Sequence, residues 1–108
     1  MNEDCVFCKI INKEIPTKNI RYEDSDIIAF DSIDPVAKTH ILIVPKKHII
    51  SFLEINDDYD FSKIIKAAQK IIVENKIELA YKLVFNGGKF QTIQHLHWHL
   101  LSGNLKEI

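Results

Sequence analysis

The sequence predicts an α+β fold, in which a five-stranded antiparallel sheet is accompanied by one short N-terminal helix and one long helix. Two observations lead to that prediction. Short segments rich in β-branched and aromatic residues are separated by polar or proline-containing turns, which is typical of strands. One longer segment instead has apolar residues at helical spacing. With 108 residues, the chain has room for one core and not for two, so we expect a single domain spanning residues 1–108.

The short elements follow in a simple order. A short helix is expected from about Val6 to Lys13, with Pro16 ending it. The strands are expected at Ile20–Glu23, Ile27–Phe30, His40–Val44, Ala80–Phe85 and the histidine-rich segment Gln94–Leu101. We expect both helices to pack against one face of the sheet that these strands form.

The long helix is predicted from about Asp58. Its apolar residues recur at i, i+3, i+4, i+7, i+10 and i+11, and form a stripe made of Phe61, Ile64, Ile65, Ala68, Ile71 and Ile72. Lysines at 63, 66 and 70 lie outside the stripe. Asn56, Asp57 and Asp58 offer capping oxygens and negative charge at the expected start.

Composition narrows the class of protein. The chain is 46% hydrophobic and 27% charged, which is typical of a soluble globular domain. A formal net charge of −1 gives no reason to expect nucleic acid or an anionic membrane as a partner. The sequence has neither an apolar run long enough to span a membrane nor a secretory leader, so we expect a cytoplasmic protein.

Three of the five histidines stand two residues apart near the end of the chain. In a strand, His95, His97 and His99 share one face, while the apolar residues between them share the other. A half-buried edge strand explains the pattern, and so does a site that uses imidazole as nucleophile, base or metal ligand. One metal bound by all three is disfavoured, because same-face neighbours in a strand are about 6.5–7 Å apart.

Cys5 and Cys8 form a Cys-x-x-Cys pair at the start of the first predicted helix. In a reducing compartment this spacing indicates metal binding or redox chemistry, although two small buried hydrophobic residues also explain it. A thioredoxin-type dithiol is disfavoured, because the chain lacks the parallel βαβ unit that carries one. A structural zinc needs two further ligands, and His48 and His95 are the candidates.

The segment His95-Leu96-His97-Trp98-His99-Leu100-Leu101 resembles the signature of the histidine triad superfamily of nucleotide hydrolases and transferases. Further motifs of its Hint branch follow in register through nearly the whole chain, at residues 5–11, 14–16, 22–24, 29–30, 35 and 39–48. The resemblance implies that family's fold, a homodimer and a site for a nucleoside monophosphate. It also implies a structural zinc bound by residues that match Cys5, Cys8, His48 and His95.

The same resemblance assigns roles to single residues. His97 matches the nucleophile, His99 a donor to the phosphate, and Thr92 a serine that contacts the leaving-group atom. His40 matches a supporting histidine, although a satisfied histidine at a strand start explains it nearly as well. The remaining nucleotide-binding positions are Phe7, Ile10, Ile15, Phe30 and Ile33 around a purine, Ser32 at the ribose, and Asn86 and Gln91 at phosphate and ribose.

The chain departs from the family pattern in two places. Ser32 stands where the family commonly has an aspartate that binds the ribose, and Asp31 is one place earlier, which turns a side chain to the opposite face of an extended segment. The loop from Asn86 to Thr92 is shorter than usual, with Lys89 and Phe90 where small glycines let the backbone approach phosphate. Either Lys89 adds a charge to the phosphate site or Phe90 narrows it.

The resemblance implies a zinc-containing hydrolase that cleaves a purine nucleoside phosphoramidate, or a related nucleoside monophosphate conjugate, through a nucleotidyl-histidine. Two alternatives stay open at the level of sequence. One is hydrolysis of dinucleoside polyphosphates, and the other is a nucleotide-binding or scaffold protein with little turnover.

Overall fold

A computed structural model describes residues 4–17 and 19–103 of the chain. Within them lie five strands: β1 (Ile20–Glu23), β2 (Ile27–Asp31), β3 (Thr39–Pro45), β4 (Lys82–Val84) and β5 (Trp98–Ser102). The strands form one sheet in the order β1-β2-β3-β5-β4, and every neighbouring pair is antiparallel. The predicted α+β class with a five-stranded antiparallel sheet is confirmed.

The two α-helices, α1 (Val6–Ile11) and α2 (Ser62–Glu74), are shorter than the sequence predicts. Helix α1 ends before Lys13, whose φ of 62° reverses the chain. Helix α2 begins at Ser62 rather than near Asp58. The Asp60 carboxylate accepts hydrogen bonds from the Ser62 amide at 3.0 Å and from its hydroxyl at 2.6 Å. Neither helix, among the described residues, is long and apolar enough to cross a membrane.

The helices lie on opposite faces of the sheet, so the expectation that both cover one face is wrong. Alternate residues of β2 and β3 divide between two separate cores. Ile27, Ala29, Ile41 and Ile43 pack with Ile64, Ala67, Ala68, Ile71 and Ile72 of α2. Ile65 of the predicted stripe is instead 53% exposed, and Ala67 takes part in the core. On the other face, Ile28, Phe30, Leu42 and Val44 pack with Cys5, Phe7 and Cys8 from the region of α1. The short helix therefore covers the face opposite α2.

The histidine segment is only partly a strand. His95 and His97 precede β5 in irregular backbone, and His99 lies within it. Leu96, Trp98 and Leu100 are buried in the core on the α2 side. The rings of His95 and His97 instead contact Phe7 on the α1 side. The predicted alternation of faces is thus present, although the strand begins later than expected.

Candidate active site and metal centre

Four side chains that offer metal-binding atoms converge at the start of α1. The Cys5 Sγ, Cys8 Sγ, His48 Nδ1 and His95 Nδ1 atoms all lie within 4.8 Å of one another. Individual separations are 3.4 Å from Cys5 to His95, 3.2 Å from Cys8 to His48 and 3.1 Å between the two nitrogens. A tetrahedral zinc needs edges of about 3.3 Å between nitrogens and about 3.8 Å between sulfurs. The four donors are therefore compatible with a metal site.

The backbone holds two of these donors in place. The Sγ atom of Cys5 accepts a hydrogen bond from the Cys8 amide at 3.4 Å and so caps α1. His95 Nε2 lies 2.7 Å from the carbonyl oxygen of Pro45. Because a carbonyl only accepts, Nε2 carries the proton and the lone pair is on Nδ1, which faces the other donors. Burial lowers the pKa of His95 to about 4, so the ring stays neutral near pH 7.

The His97 ring is oriented by the backbone of His95. Its Nδ1 donates to the carbonyl oxygen of His95 at 2.8 Å, which leaves the lone pair on Nε2. Phe7 packs edge-on against the ring, with centroids 5.0 Å apart. Burial lowers the pKa of His97, although the bond to the carbonyl opposes that shift. A neutral imidazole with one fixed nitrogen and one lone pair is equipped for nucleophilic attack.

A second chain of hydrogen bonds fixes His99. The backbone N–H of Val36 donates to His40 Nδ1 at 3.1 Å, so the proton of neutral His40 is on Nε2. That nitrogen lies 2.9 Å from His99 Nδ1 and donates to it. His99 then carries its proton on Nε2, which is buried and has no partner among the described residues. Its ring centroid lies 4.9 Å from that of His97.

His40 and His99 are both held neutral. Burial lowers the pKa of His99 to about 4, with further lowering from His97 and His40. Burial also lowers the pKa of His40, and the charge of Asp34 opposes that shift. A neutral His99 can therefore still donate from Nε2 near pH 7, because its other nitrogen is occupied by His40.

The residues expected around a purine lie in different surroundings. Phe7 and Phe30 are buried, with ring centroids 5.9 Å apart. Ile10 and Ile15 line a neighbouring cleft of about 410 Å³. Ile33 is 87% exposed and belongs to neither core. Phe7 is the member that touches the histidines directly.

The residues expected at phosphate and leaving group are dispersed around the 88–90 turn. Asn86 is exposed, and Thr92 is exposed in a cleft of about 310 Å³ shared with Cys5. Gln91 is buried, and its amide nitrogen donates to the carbonyl oxygens of Ile50 at 2.6 Å and Ile93 at 2.9 Å. Gln91 therefore fixes the loop in front of the histidines.

The two departures from the family pattern have clear positions. Ser32 is partly buried, and its hydroxyl accepts a hydrogen bond from the Asp34 amide at 3.2 Å. Asp31 binds Arg21 in bidentate fashion, at 2.8 Å and 2.9 Å. Phe90 is 70% exposed, and the Lys89 ammonium lies 5.5 Å from its ring centroid.

Sequence reasoning missed the backbone groups that orient the rings. The carbonyl oxygens of Pro45 and His95 and the amide of Val36 fix three histidines between them. Backbone atoms are present at every residue, so the sequence offers no signal that selects these three. The proline that ends β3 is the nearest hint, because it marks where the ladder stops.

The chain is similar to known proteins along most of its length. Residues 12–105 match the HIT domain family. An uncharacterized HIT-like protein of Methanocaldococcus jannaschii is 43% identical over 101 residues, which cover 90% of this chain and 77% of the relative. A HIT family hydrolase from Clostridium thermocellum superposes with a TM-score of 0.92 at 42% identity, covering 100% of this chain and 98% of that one.

A more distant structure points in the same direction. The histidine triad nucleotide-binding protein of Candida albicans superposes with a TM-score of 0.81 at 34% identity, covering 90% of this chain and 73% of that one. The domain match extends over most of the chain, and the spaced histidines lie inside it. This chain belongs to the HIT family.

Proposed function

We propose that this protein is a nucleotide hydrolase that releases a nucleoside monophosphate from a purine nucleoside phosphoramidate or a related conjugate. The observation that carries the proposal is the pairing of two fixed nitrogens, a lone pair on His97 Nε2 and an N–H on His99 Nε2, on neighbouring rings. The Clostridium thermocellum relative is named as a hydrolase and the Candida albicans relative as nucleotide-binding, which supports the same class.

The proposed reaction has two displacements. His97 Nε2 attacks the α-phosphorus, a phosphorus–nitrogen bond to His97 forms, and the bond to the leaving amine breaks. The amine leaves with a proton relayed from solvent through the Thr92 hydroxyl, which gains one proton as it gives one up and so stays neutral. Water then attacks the same phosphorus, gives its proton to the phosphate or solvent, and restores His97. His99 Nε2–H binds a non-bridging oxygen as negative charge builds on it.

The proposed metal is a zinc bound by Cys5, Cys8, His48 and His95. Bound there, zinc supplies structural cross-linking, since four protein donors leave it no open position for chemistry. The donors join the start of α1 to the segment before β5. His95 therefore serves two purposes in the proposal: its ring binds the metal, and its carbonyl fixes the nucleophile.

The nucleotide would lie along the sheet face that carries α1. The base is proposed to lie beside His97 at the apolar side chains Phe7, Phe30, Ile10, Ile15 and Ile33, of which Phe7 and Phe30 are buried and Ile33 is exposed. The phosphate lies at His97 and His99, with Asn86, Gln91 and Thr92 from the adjoining loop. We further propose, on the family resemblance, a single-domain homodimer in the cytoplasm, for which light scattering of the purified protein tests the dimer.

A binder with little turnover is the second candidate. It is favoured by one observation: Asp31 is held by Arg21, and Ser32 offers the sugar only a neutral hydroxyl. If the protein binds nucleotides weakly, turnover would be slow even though the histidines are intact. The two candidates differ in whether His97 becomes covalently modified.

Intact-protein mass spectrometry tests the proposal. The protein is mixed briefly with adenosine 5′-phosphoramidate and quenched at alkaline pH, which preserves phosphohistidine, beside a His97→Ala control. We expect a nucleotidyl adduct in the parent and none in the control. If neither an adduct nor product appears, the hydrolase proposal is overturned and the nucleotide-binding protein with little turnover remains. Product without an adduct is decided by the control, because turnover by His97→Ala would also overturn the proposed mechanism.

A further inference from the structure

A cleft of about 310 Å³ leads from the surface to Cys5. Its lining includes Cys5, Val6 and Thr92, and Cys5 is 7% exposed. Cys8 is more deeply buried, at 1%. Both residues are thiols and not halves of a disulfide. Because oxidation of cysteine follows exposure and thiolate character, a small oxidant that enters the cleft reaches Cys5 before Cys8.

A second thiol lies close behind Cys5. The two sulfur atoms belong to the four donor atoms that all lie within 4.8 Å of one another, and the Cys8 amide donates to Cys5 Sγ at 3.4 Å. A disulfide needs its sulfurs about 2.05 Å apart. The two sulfurs therefore have to approach each other by less than about 3 Å to form one.

We propose that Cys5 is a site of oxidative modification, at which hydrogen peroxide converts Cys5 and Cys8 to a disulfide. In the first step the Cys5 thiolate attacks one peroxide oxygen, the oxygen–oxygen bond breaks, and a sulfenic acid and a hydroxide ion form. The Cys8 thiolate then attacks the Cys5 sulfur, a sulfur–sulfur bond forms, and a second hydroxide ion leaves. The two sulfurs together give up two electrons, and the peroxide is reduced to two hydroxide ions that take up protons from solvent.

The disulfide ends binding of the proposed metal, because thiolates and not disulfide sulfurs are the ligands. His48 and His95 remain as donors, and two imidazoles do not complete a tetrahedral site that needs four ligands. His95 Nδ1 also loses its present surroundings, in which Cys5 Sγ lies at 3.4 Å and Cys8 Sγ at 3.6 Å. Its ring is then held only from the opposite side, by the bond of Nε2 to the Pro45 carbonyl at 2.7 Å.

The oxidised pair acts on the nucleophile through one hydrogen bond. His97 Nδ1 donates to the His95 carbonyl oxygen at 2.8 Å, and this bond leaves the lone pair on Nε2. When the metal ligands are oxidised and His95 shifts, the bond weakens and the His97 proton divides between the two ring nitrogens. Oxidation therefore lowers the activity of the hydrolase. This last step rests on the proposed function, whereas the sulfur chemistry does not.

The first test uses the parent protein purified with zinc. Hydrogen peroxide is added in steps, zinc release is followed with a chromogenic chelator, and intact-protein mass spectrometry records the thiols. We expect zinc to be released in proportion to the loss of two hydrogen atoms per chain. Dithiothreitol with added zinc should reverse both changes. Zinc that stays bound after the cysteines are oxidised, zinc lost without a disulfide, or a parent that carries no zinc overturns the proposal.

A pair of valine substitutions tests the route of the oxidant. Val6 lines the cleft and is 38% exposed, so Val6→Phe narrows the cleft without removing a sulfur. Val73→Phe is the matched control, because Val73 is 65% exposed on α2, which packs on the other face of the sheet. We expect peroxide to release zinc about fivefold more slowly from Val6→Phe than from Val73→Phe. Equal rates overturn the assignment of Cys5 as the first site of attack.

Nitrogen-15 NMR of the histidines tests the link to the nucleophile without turnover. The reduced, zinc-loaded parent should show His97 as one tautomer with the proton on Nδ1, and the oxidised protein should show a mixture. We also expect kcat/KM for adenosine 5′-phosphoramidate to fall by about tenfold or more on oxidation and to recover on reduction with zinc. A single His97 tautomer in the oxidised protein overturns the link. If the reduced parent forms neither adduct nor product, the hydrolase proposal fails, while zinc release, thiol mass and the tautomer still decide the redox proposal.

Discussion

The thiol–histidine region, made of Cys5, Cys8, His48, His95 and His97, and the loop around Phe90 are built in different ways. At the first, Cys5, His95 and His97 are buried, and each has a backbone partner or a donor neighbour that fixes its orientation. At the second, Phe90 is mostly exposed and its neighbour Lys89 stacks over it. The proposed metal ligands and the proposed nucleophile are thus part of the packed structure. The side chains of the Phe90 loop, which would contact the substrate away from the reacting phosphorus, are not. Substitutions in the first region should cost stability and activity together, and those in the second should alter substrate choice alone.

The largest effect is expected from removing the proposed metal. Cys8→Ala leaves the other three donors around a gap and releases α1 from the segment before β5. We expect the free energy of unfolding to fall by about 4 kcal/mol or more, because loss of a structural metal is among the costliest single changes. Zinc content by mass spectrometry and urea unfolding measure it.

Chelation of the parent protein is the matched control. It should reproduce the stability of Cys8→Ala, and added zinc should restore the parent and not the variant. A parent that contains no zinc after expression with zinc, or a variant as stable as the parent, would contradict the metal site. In either case the four donors would be only a packed polar cluster.

The second-largest effect is expected on kcat when His40, which positions the His99 ring, is replaced. His40→Phe removes the N–H that fixes His99, so the His99 ring can take either tautomer. We expect kcat to fall by about tenfold to a hundredfold, because a preorganised donor beside the phosphate is lost. His40→Gln retains an N–H donor and should recover part of the rate.

Nitrogen-15 NMR of the histidines distinguishes positioning from packing. In the parent and His40→Gln, His99 should show one tautomer with the proton on Nε2, and in His40→Phe a mixture. An unchanged His99 spectrum together with a lower rate would show that His40 acts in some other way.

The sequence predicts these residues better than it predicts their surroundings. The spacing of His95, His97 and His99 indicates their common side, and Cys5 and Cys8 indicate the cluster of side chains that could bind a metal, because side-chain type carries that information. The predicted face for α1 is wrong, although the runs Ile27–Phe30 and His40–Val44 contain a signal for the observed one. Such nearly continuous apolar runs are typical of strands covered on both faces. Which nitrogen of each ring carries the proton depends on backbone partners, and no residue pattern encodes them.

A smaller effect should appear as acid lability. The unfolded chain binds a proton at His99 with an ordinary pKa near 6.5, and the folded chain only near 4. Between these values the unfolded state holds more protons, so stability is complete above pH 6.5 and is lost as pH falls toward 4. For a ring that retains some contact with solvent, we expect a loss of roughly 1–2 kcal/mol from this group.

Urea unfolding at pH 7.5, 5.5 and 4.5 measures that loss in the parent and in His99→Asn. Metal release at low pH affects both proteins, so the difference between their slopes isolates His99. The slope should be shallower in His99→Asn. Identical slopes would mean that His99 titrates normally in the folded protein.

The smallest effect on stability is expected at Phe90, and it is compared with a second partly exposed phenylalanine. Phe85 is 39% exposed, but its ring stacks on Phe52 with centroids 4.6 Å apart and approaches Trp98 at 5.9 Å. Phe85→Ala should therefore destabilise the protein by about 1–2 kcal/mol, and Phe90→Ala by no more than about 0.5 kcal/mol.

If Phe90 borders the phosphate site, the KM of Phe90→Ala for adenosine 5′-phosphoramidate changes while kcat stays near the parent value, because uniform binding is altered and chemistry is not. Thermal unfolding and steady-state kinetics of the two variants make the comparison. A loss of stability at Phe90 equal to that at Phe85 would show that the loop belongs to the packed structure, and an unchanged KM would place Phe90 outside the path of the substrate.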